Sequence, residues 1–334
     1  MNKKQIIGLI VAAVAFICIS GASVLINSYS KSIIGKESEK SFTETALATA
    51  DDVSIPSEDF IGVVKVDGVI QSTSGSNSIF NSDEGYNHTK TLKYLDEMTA
   101  SNDNKGILLY VNSPGGGVYE SDELYLKLKE YKEITGRPVW TYMASQACSG
   151  GYYISMASDK IYANRNCWTG SIGVITSLTN MKGLYDKLGI QEIDITSGPN
   201  KAMGSAGIEM TDEHRAILQS LVDEAYDQFT GIVSEGRGMD IQTVKTIADG
   251  RIYSAKQALD LGLIDNIDTY ENMQSDMLQS IGSDAVIYTP EAKENVFASL
   301  FSKIEGLKTK SDAQIISEYL EKQDNGGLMY YAKQ

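Results

Sequence analysis

The hydrophobic pattern opens on an unbroken apolar run, Gln5 to Ile26, QIIGLIVAAVAFICISGASVLI, with no charged residue. At 1.5 Å per residue a helix of that length is just enough to cross about 30 Å of hydrocarbon, so residues 1–26 read as a cytoplasmic end and one transmembrane anchor. Lys3 and Lys4 precede the run. The positive-inside rule then keeps the N-terminus cytoplasmic and places the rest of the chain outside, at the cell membrane. A signal peptide cleaved near Ser20-Gly21-Ala22, and an apolar helix of a soluble core, are the competing readings.

Residues 27–58 are rich in Ser, Thr, Lys and Glu with little periodicity, and they predict a polar tether. Short apolar runs then alternate with helical patterns across 59–285. FIGVVKV at 60–66, GILLYV at 106–111 and PVWTYM at 138–143 read as strands, with shorter β-like pieces near Ile161, Ile172 and Ile193. Amphipathic stretches at 89–100 and 118–135 lie between them, and the polar residues 71–87 read as a long loop. Strands separated by helices indicate right-handed crossovers and an α/β fold.

The longest helix is expected over 211–235, opened by Thr211 with Asp212 and Glu213 in its first turn. Ile217, Leu218, Leu221, Val222, Ala225, Phe229 and Ile232 share one of its faces, a stripe suited to a core or a subunit contact. Residues 286–334 read as a helical extension ending in a flexible tail.

Acidic residues outnumber basic ones 44 to 29, for a net charge of -15. No Lys/Arg stripe is present to neutralise phosphates, so nucleic acid is not an expected partner. Cys18, Cys148 and Cys167 do not have a metal-ligand spacing. Neither a metal nor another cofactor is expected, and a Cys148–Cys167 disulfide is a minor alternative.

The uncharged segment 138–158 contains Pro, two glycines and several hydroxyl residues, and reads as a strand, a turn and a helix starting near Ser149. A serine at such a turn can expose its hydroxyl, and a helix start offers unpaired N–H groups to an anion. Upstream, Gly115-Gly116-Gly117 follows strand 106–111 and allows backbone amides to approach a substrate oxygen, although a plain turn fits SPGGG equally. The two histidines, His88 and His214, fall in stretches that read as surface, which turns attention to lysine as a base. Lys201 is the only charged residue between Ile195 and Ile208. A lysine base must be desolvated and kept from carboxylates. By itself Lys201 also fits an ordinary surface loop.

Ser113-Pro114-Gly115-Gly116-Gly117, Ala147-Cys148-Ser149-Gly150-Gly151-Tyr152-Tyr153, Thr169-Gly170-Ser171-Ile172-Gly173-Val174 and Ser197-Gly198-Pro199-Asn200-Lys201 occur in this order. With Gly236-Arg237-Gly238-Met239 and Ala248-Asp249-Gly250-Arg251, they make the chain resemble the signal peptide peptidase A family over about residues 60–270. The resemblance implies a Clp protease/crotonase-like spiral of β-β-α units. It also implies a Ser/Lys dyad serine protease, with Ser149 as nucleophile, Lys201 as general base, Gly116 and Gly150 as oxyanion hole and Ser171 orienting the lysine. The length suits the short, one-domain form, expected to be a homo-oligomer that degrades signal-peptide remnants at the membrane.

Cys148 departs from the alanine usual in the family and is expected to pack, while Met143, Tyr152 and Tyr153 are candidates either for an apolar substrate pocket or for the core. A crotonase-type acyl-CoA enzyme and a catalytically silent membrane scaffold remain the alternative functions.

Overall fold

Long apolar runs bounded by polar residues form the centre of a mainly parallel sheet in the computed structural model, which describes residues 55–72, 85–282 and 284–290 and the backbone of 329–331. These strands are β1 (Phe60–Asp67), β2 (Asn104–Ser113) and β4 (Val139–Cys148). Their near-continuous hydrophobicity follows from burial on both faces, as parallel sheets require. The helices α1 (His88–Ala100) and α2 (Val118–Thr135) make the crossovers between them, and a three-residue strand, β3 (Gly115–Gly117), leads directly into α2.

After β4 come α3 (Gly150–Ser155), β5 (Lys160–Ala163), β6 (Trp168–Gly170) and α4 (Lys182–Leu188). The chain continues through α5 (Asp212–Arg237), α6 (Ile241–Ile247), β7 (Ile252–Ser254), α7 (Ala255–Asp260), β8 (Asn266–Ile267), α8 (Tyr270–Ile281) and β9 (Val286–Tyr288). The strand order is β7-β6-β4-β2-β1-β9, and β5 joins β4 to β8 off that path.

Strand β4 serves two neighbours in succession. Trp140 to Met143 pair in parallel with β5, whereas Gln146 to Cys148 pair in parallel with β6. The sheet therefore splits at the far end of β4, and the residue that follows, Ser149, leaves from the split. One face of the sheet buries Val64, Val66, Leu109 and Val111 in the same core as Leu95, Leu128 and Tyr153 from the helices. The other face packs Ile61, Leu108, Trp140 and Tyr162 with Met273 and Met277 of α8. Polar caps set the helix starts: Asn87, Thr211 and Thr269 each accept a first-turn N–H.

Three expectations change. The β-like piece near Ile172 is β6, which ends at Gly170, and Ile193 is in no strand. The apolar stripe of α5 is only half core: Ala225 and Phe229 are buried, but Leu221 is exposed and Ile217, Leu218 and Val222 are half-covered. From Gly173 to Glu213 no residue is buried at all, and Ile195 is 98% exposed. This stretch is an arm without a core of its own. Its β propensity at Ile193 finds no strand to pair with, which is why the local pattern does not decide the outcome.

Among the described residues no helix is long and apolar enough to cross a membrane. The anchor at 5–26, most of the tether, the middle of the 71–87 loop and residues 291–328 lie outside the described residues, while the start of the expected helical extension is instead strand β9, Val286–Tyr288, held by parallel pairing with β1.

Candidate active site

Ser149 joins β4 to α3 by a sharp turn, with φ 53° and ψ -116°. That is a strained backbone for a residue with a Cβ, of the kind that clusters at functional sites. It is held from both sides: its N–H donates to Gly170 O at 2.8 Å, and its carbonyl accepts from Tyr153 N at 2.9 Å. The side chain is 1% exposed, and Oγ has no hydrogen-bond partner among the described residues.

Parallel pairing of Cys148 with Gly170 sets the serines that follow, Ser149 and Ser171, at neighbouring strand ends. Ser171 also has a positive φ, 50°, and its N–H donates to Arg251 O at 2.7 Å. Gly170 has to be glycine on two counts, its φ of 79° and the 2.6 Å that a Cβ would leave to the Tyr253 ring. The Thr169 hydroxyl donates to Ala147 O at 2.7 Å, which ties the two strands just before the serines.

The glycine strand β3 is the second wall. Ser113 Oγ accepts from Gly115 N at 3.1 Å and holds the turn, where Gly115 takes a φ of 105°. Ile70 brackets the strand, its N–H donating to Gly115 O and its carbonyl accepting from Gly117 N. A Cβ on Gly116 would lie 1.8 Å from Ile70 O, so backbone excludes any side chain there. A Cβ on Gly150 would come within 3.2 Å of the Gly116 amide nitrogen. The structure thus brings Ser149, Gly150, Gly116 and Ser171 to one corner.

Lys201 makes no hydrogen bond to Ser149 Oγ, which has no partner among the described residues. It lies in a turn whose backbone N–H donates to Gly198 O at 3.2 Å, and the residue is exposed. Beside Ser171 opens a groove of about 510 Å³, lined by Val174, Val222, Tyr226 and Gly250 among others. It runs onto the half-covered apolar flank of α5.

The opposite edge of β3 carries a strand from the tail. Strand β10 (Met329–Tyr331) pairs antiparallel with it, Tyr330 opposite Gly116. The tail backbone therefore reaches the glycine loop of the site.

Met143, Tyr152 and Tyr153 are fully buried core, and none of them lines the groove beside Ser171. The Tyr152 hydroxyl donates to Leu263 O and that of Tyr153 to Asp122. Cys148 and Cys167 are buried free thiols, not a disulfide, and burial pushes each up to about 12. Cys148 packs next to Ser149 as a thiol, not a thiolate.

Both histidines are buried, against the surface reading. His88 sits between the Tyr86 hydroxyl, 2.5 Å from Nδ1, and the Glu123 carboxylate, 2.7 Å from Nε2. His214 lies under the first turn of α5. Their polar sequence neighbours hide this, since those neighbours cap helices and leave the rings turned inward. Ser121 was not singled out in the sequence, yet it packs against Gly150; a lone serine inside an amphipathic helix gives no warning of that. Among the described residues no group of His, Cys, Asp and Glu could hold a metal ion.

Comparison with known proteins agrees with this geometry. The family model described as peptidase family S49 matches residues 132–283, and the Clp protease model matches residues 77–182. A chain of Enterococcus faecium assigned as signal peptide peptidase SppA is 40% identical over 276 residues, 80% of this chain and 79% of that one. Protease 4 of Haemophilus influenzae is 31% identical, over 63% of this chain and 33% of its own. The chloroplastic serine protease SPPA of Arabidopsis thaliana is 31% identical, over 49% of this chain and 24% of its own. The mixed α/β architecture, with a strained serine at a strand-to-helix turn facing a glycine strand, is consistent with a Clp-like domain, and the chain belongs to peptidase family S49, the signal peptide peptidase A family, as a serine protease.

Proposed function

We propose that the chain is a membrane-anchored endopeptidase in which Ser149 is the nucleophile and Lys201 the general base. The observation that carries this reading is the Ser149 hydroxyl, buried and unpartnered at a strained turn beside two glycine amides. Neutral Lys201 takes the Ser149 proton, and Oγ attacks the peptide carbonyl. The Gly116 and Gly150 amides hold the tetrahedral oxyanion, Lys201 protonates the leaving amine, and water then hydrolyses the acyl-enzyme. Ser171, beside the nucleophile, receives and orients the lysine.

The lysine comes from a neighbouring copy of the chain. Support lies in the arm that bears Lys201, which exposes Leu188, Ile193 and Ile195, and in the exposed Leu221 on α5. Large apolar groups spread over one arm mark an interaction surface. Covering them with a second copy would also remove Lys201 from water, which its role as base demands. The occupant is then a homo-oligomer, and each active site is shared by two subunits.

Substrates are extended hydrophobic peptides such as signal-peptide remnants. The free edge of β3 takes up a strand by main-chain pairing, as the backbone of 329–331 does, a recognised mode of peptide capture. The apolar run at 5–26 anchors the enzyme where such remnants lie.

A fluorophosphonate probe tests the assignment directly. Labelling is expected at Ser149 and nowhere else, and a probe found on another residue would overturn it; an acyl-CoA enzyme of this fold would carry no label. The tail should compete with substrate for β3. A chain ending at Glu321 is expected to cleave a short peptide about two- to tenfold faster at low substrate, the gain vanishing at saturation, in a comparison of kcat/KM with kcat. Equal kcat/KM in both chains would remove the tail from the substrate track.

A further inference from the structure

The first turns of α2 face the nucleophile's helix through two neighbouring residues. Asp122 accepts from the Tyr153 hydroxyl at 2.5 Å and from Gln228 Nε2 at 3.0 Å, and so has a settled structural role. Ser121, one position earlier, is fully buried, and its Oγ has no hydrogen-bond partner among the described residues. A buried hydroxyl without a partner is costly, and such exceptions call for a reason.

Its position supplies one. A methyl group on Gly150 would lie 2.4 Å from Ser121 Oγ, and the same point is 3.2 Å from the Gly116 amide nitrogen and 3.3 Å from Gly115 Cα. The hydroxyl thus fills the open side of Gly150 at the place where the two amide-bearing segments meet. Alanine there would leave Gly150 without its stop.

We propose that Ser121 is a positioning residue for the oxyanion site. It fixes the separation of the Gly150 and Gly116 amides, and its O–H, committed to no other acceptor, turns its dipole toward the corner where negative charge develops. A fixed dipole in a dry corner acts on the transition state far more than on a neutral ground state. Ser121 touches neither the substrate nor the reacting atoms, and acts through Gly150 and through its field.

The inference rests on the Ser149 reading above, and one experiment separates the two. Wild type, Ser121→Ala, Ser121→Thr and Ser149→Ala are compared as full chains for kcat, KM and affinity for a peptide boronate, whose tetrahedral adduct mimics the oxyanion. Ser121→Ala is expected to lose about tenfold in kcat, the scale of one hydrogen-bonding group, with KM within about twofold and boronate affinity falling in parallel. Ser121→Thr, which keeps the hydroxyl, should hold boronate affinity within about threefold even if its stability drops.

An unchanged kcat and boronate affinity in Ser121→Ala would overturn the proposal, and so would equal losses in the alanine and threonine variants, which would mean packing alone. If Ser121→Ala does not fold, the threonine variant decides: retained boronate affinity supports the hydroxyl role, and a lost one removes it. Retained activity in Ser149→Ala would instead overturn the nucleophile itself.

Discussion

Ser149→Ala and Lys201→Ala are each expected to lose about 10⁴-fold or more in peptide cleavage, as members of a catalytic unit do, and yet to recover activity when mixed. The recovery follows from the arm. If the dyad is shared, a subunit with an intact Ser149 but no Lys201 can receive the lysine of a neighbour whose own serine is gone. Mixed oligomers then hold a fraction of complete sites. Co-expression, or dissociation and reassembly of the two inactive variants, should restore a substantial part of wild-type cleavage of a fluorogenic peptide. A dyad closed within one chain would stay silent at every mixing ratio, and that result would place Lys201 beside Ser149 by another route, such as closure of the arm onto its own domain.

Gly116→Ala is the second large effect. Its new methyl group would stand 1.8 Å from Ile70 O, and since that obstacle is backbone, no rotamer relieves it. Strand β3 has to move, and the Gly116 amide goes with it. Losing one preorganised oxyanion donor typically costs 10²–10³ in kcat, so a fall of about that size is expected in steady-state assays, with little change in KM. The bulk of the protein should remain folded, because β3 is short and lies off the main sheet path. A variant with normal kcat would show that the Gly116 amide is not a donor to the oxyanion.

The centre of the fold was legible because β1, β2 and β4 are buried on both faces and therefore apolar at nearly every position. Helices α1, α2 and α5 were legible from their periodicity and, for α5, from Thr211 as a cap. The site was readable as far as it is made of backbone: Ser149 after an uncharged strand and the triple glycine both announce unusual main-chain geometry. Side-chain surroundings were not. His88 looked solvated because Asn87 and Lys90 flank it, although its ring is enclosed by Tyr86 and by Glu123 from 35 residues away. Ile193 and the outer half of the α5 stripe misled for another reason. Their apolar residues stay uncovered among the described residues, and a periodicity rule does not say whose core a stripe belongs to.

Similar reasoning applies to Cys148. Beside the proposed nucleophile it suggests a reactive thiol, but burial keeps it protonated, so it would not compete with hydroxyl chemistry at Ser149.

The arm from Gly173 to Glu213, with nothing buried along its length, has a kinetic consequence. An enzyme whose base arrives on a neighbour is not first order in its own concentration. If the dyad is shared, the rate of cleavage at sparse copies would climb faster than linearly with the amount of chain, and an isolated subunit would be a silent precursor. Confinement to a surface, where two dimensions replace three, would then turn the protease on at the place where its copies accumulate and leave stray subunits harmless elsewhere.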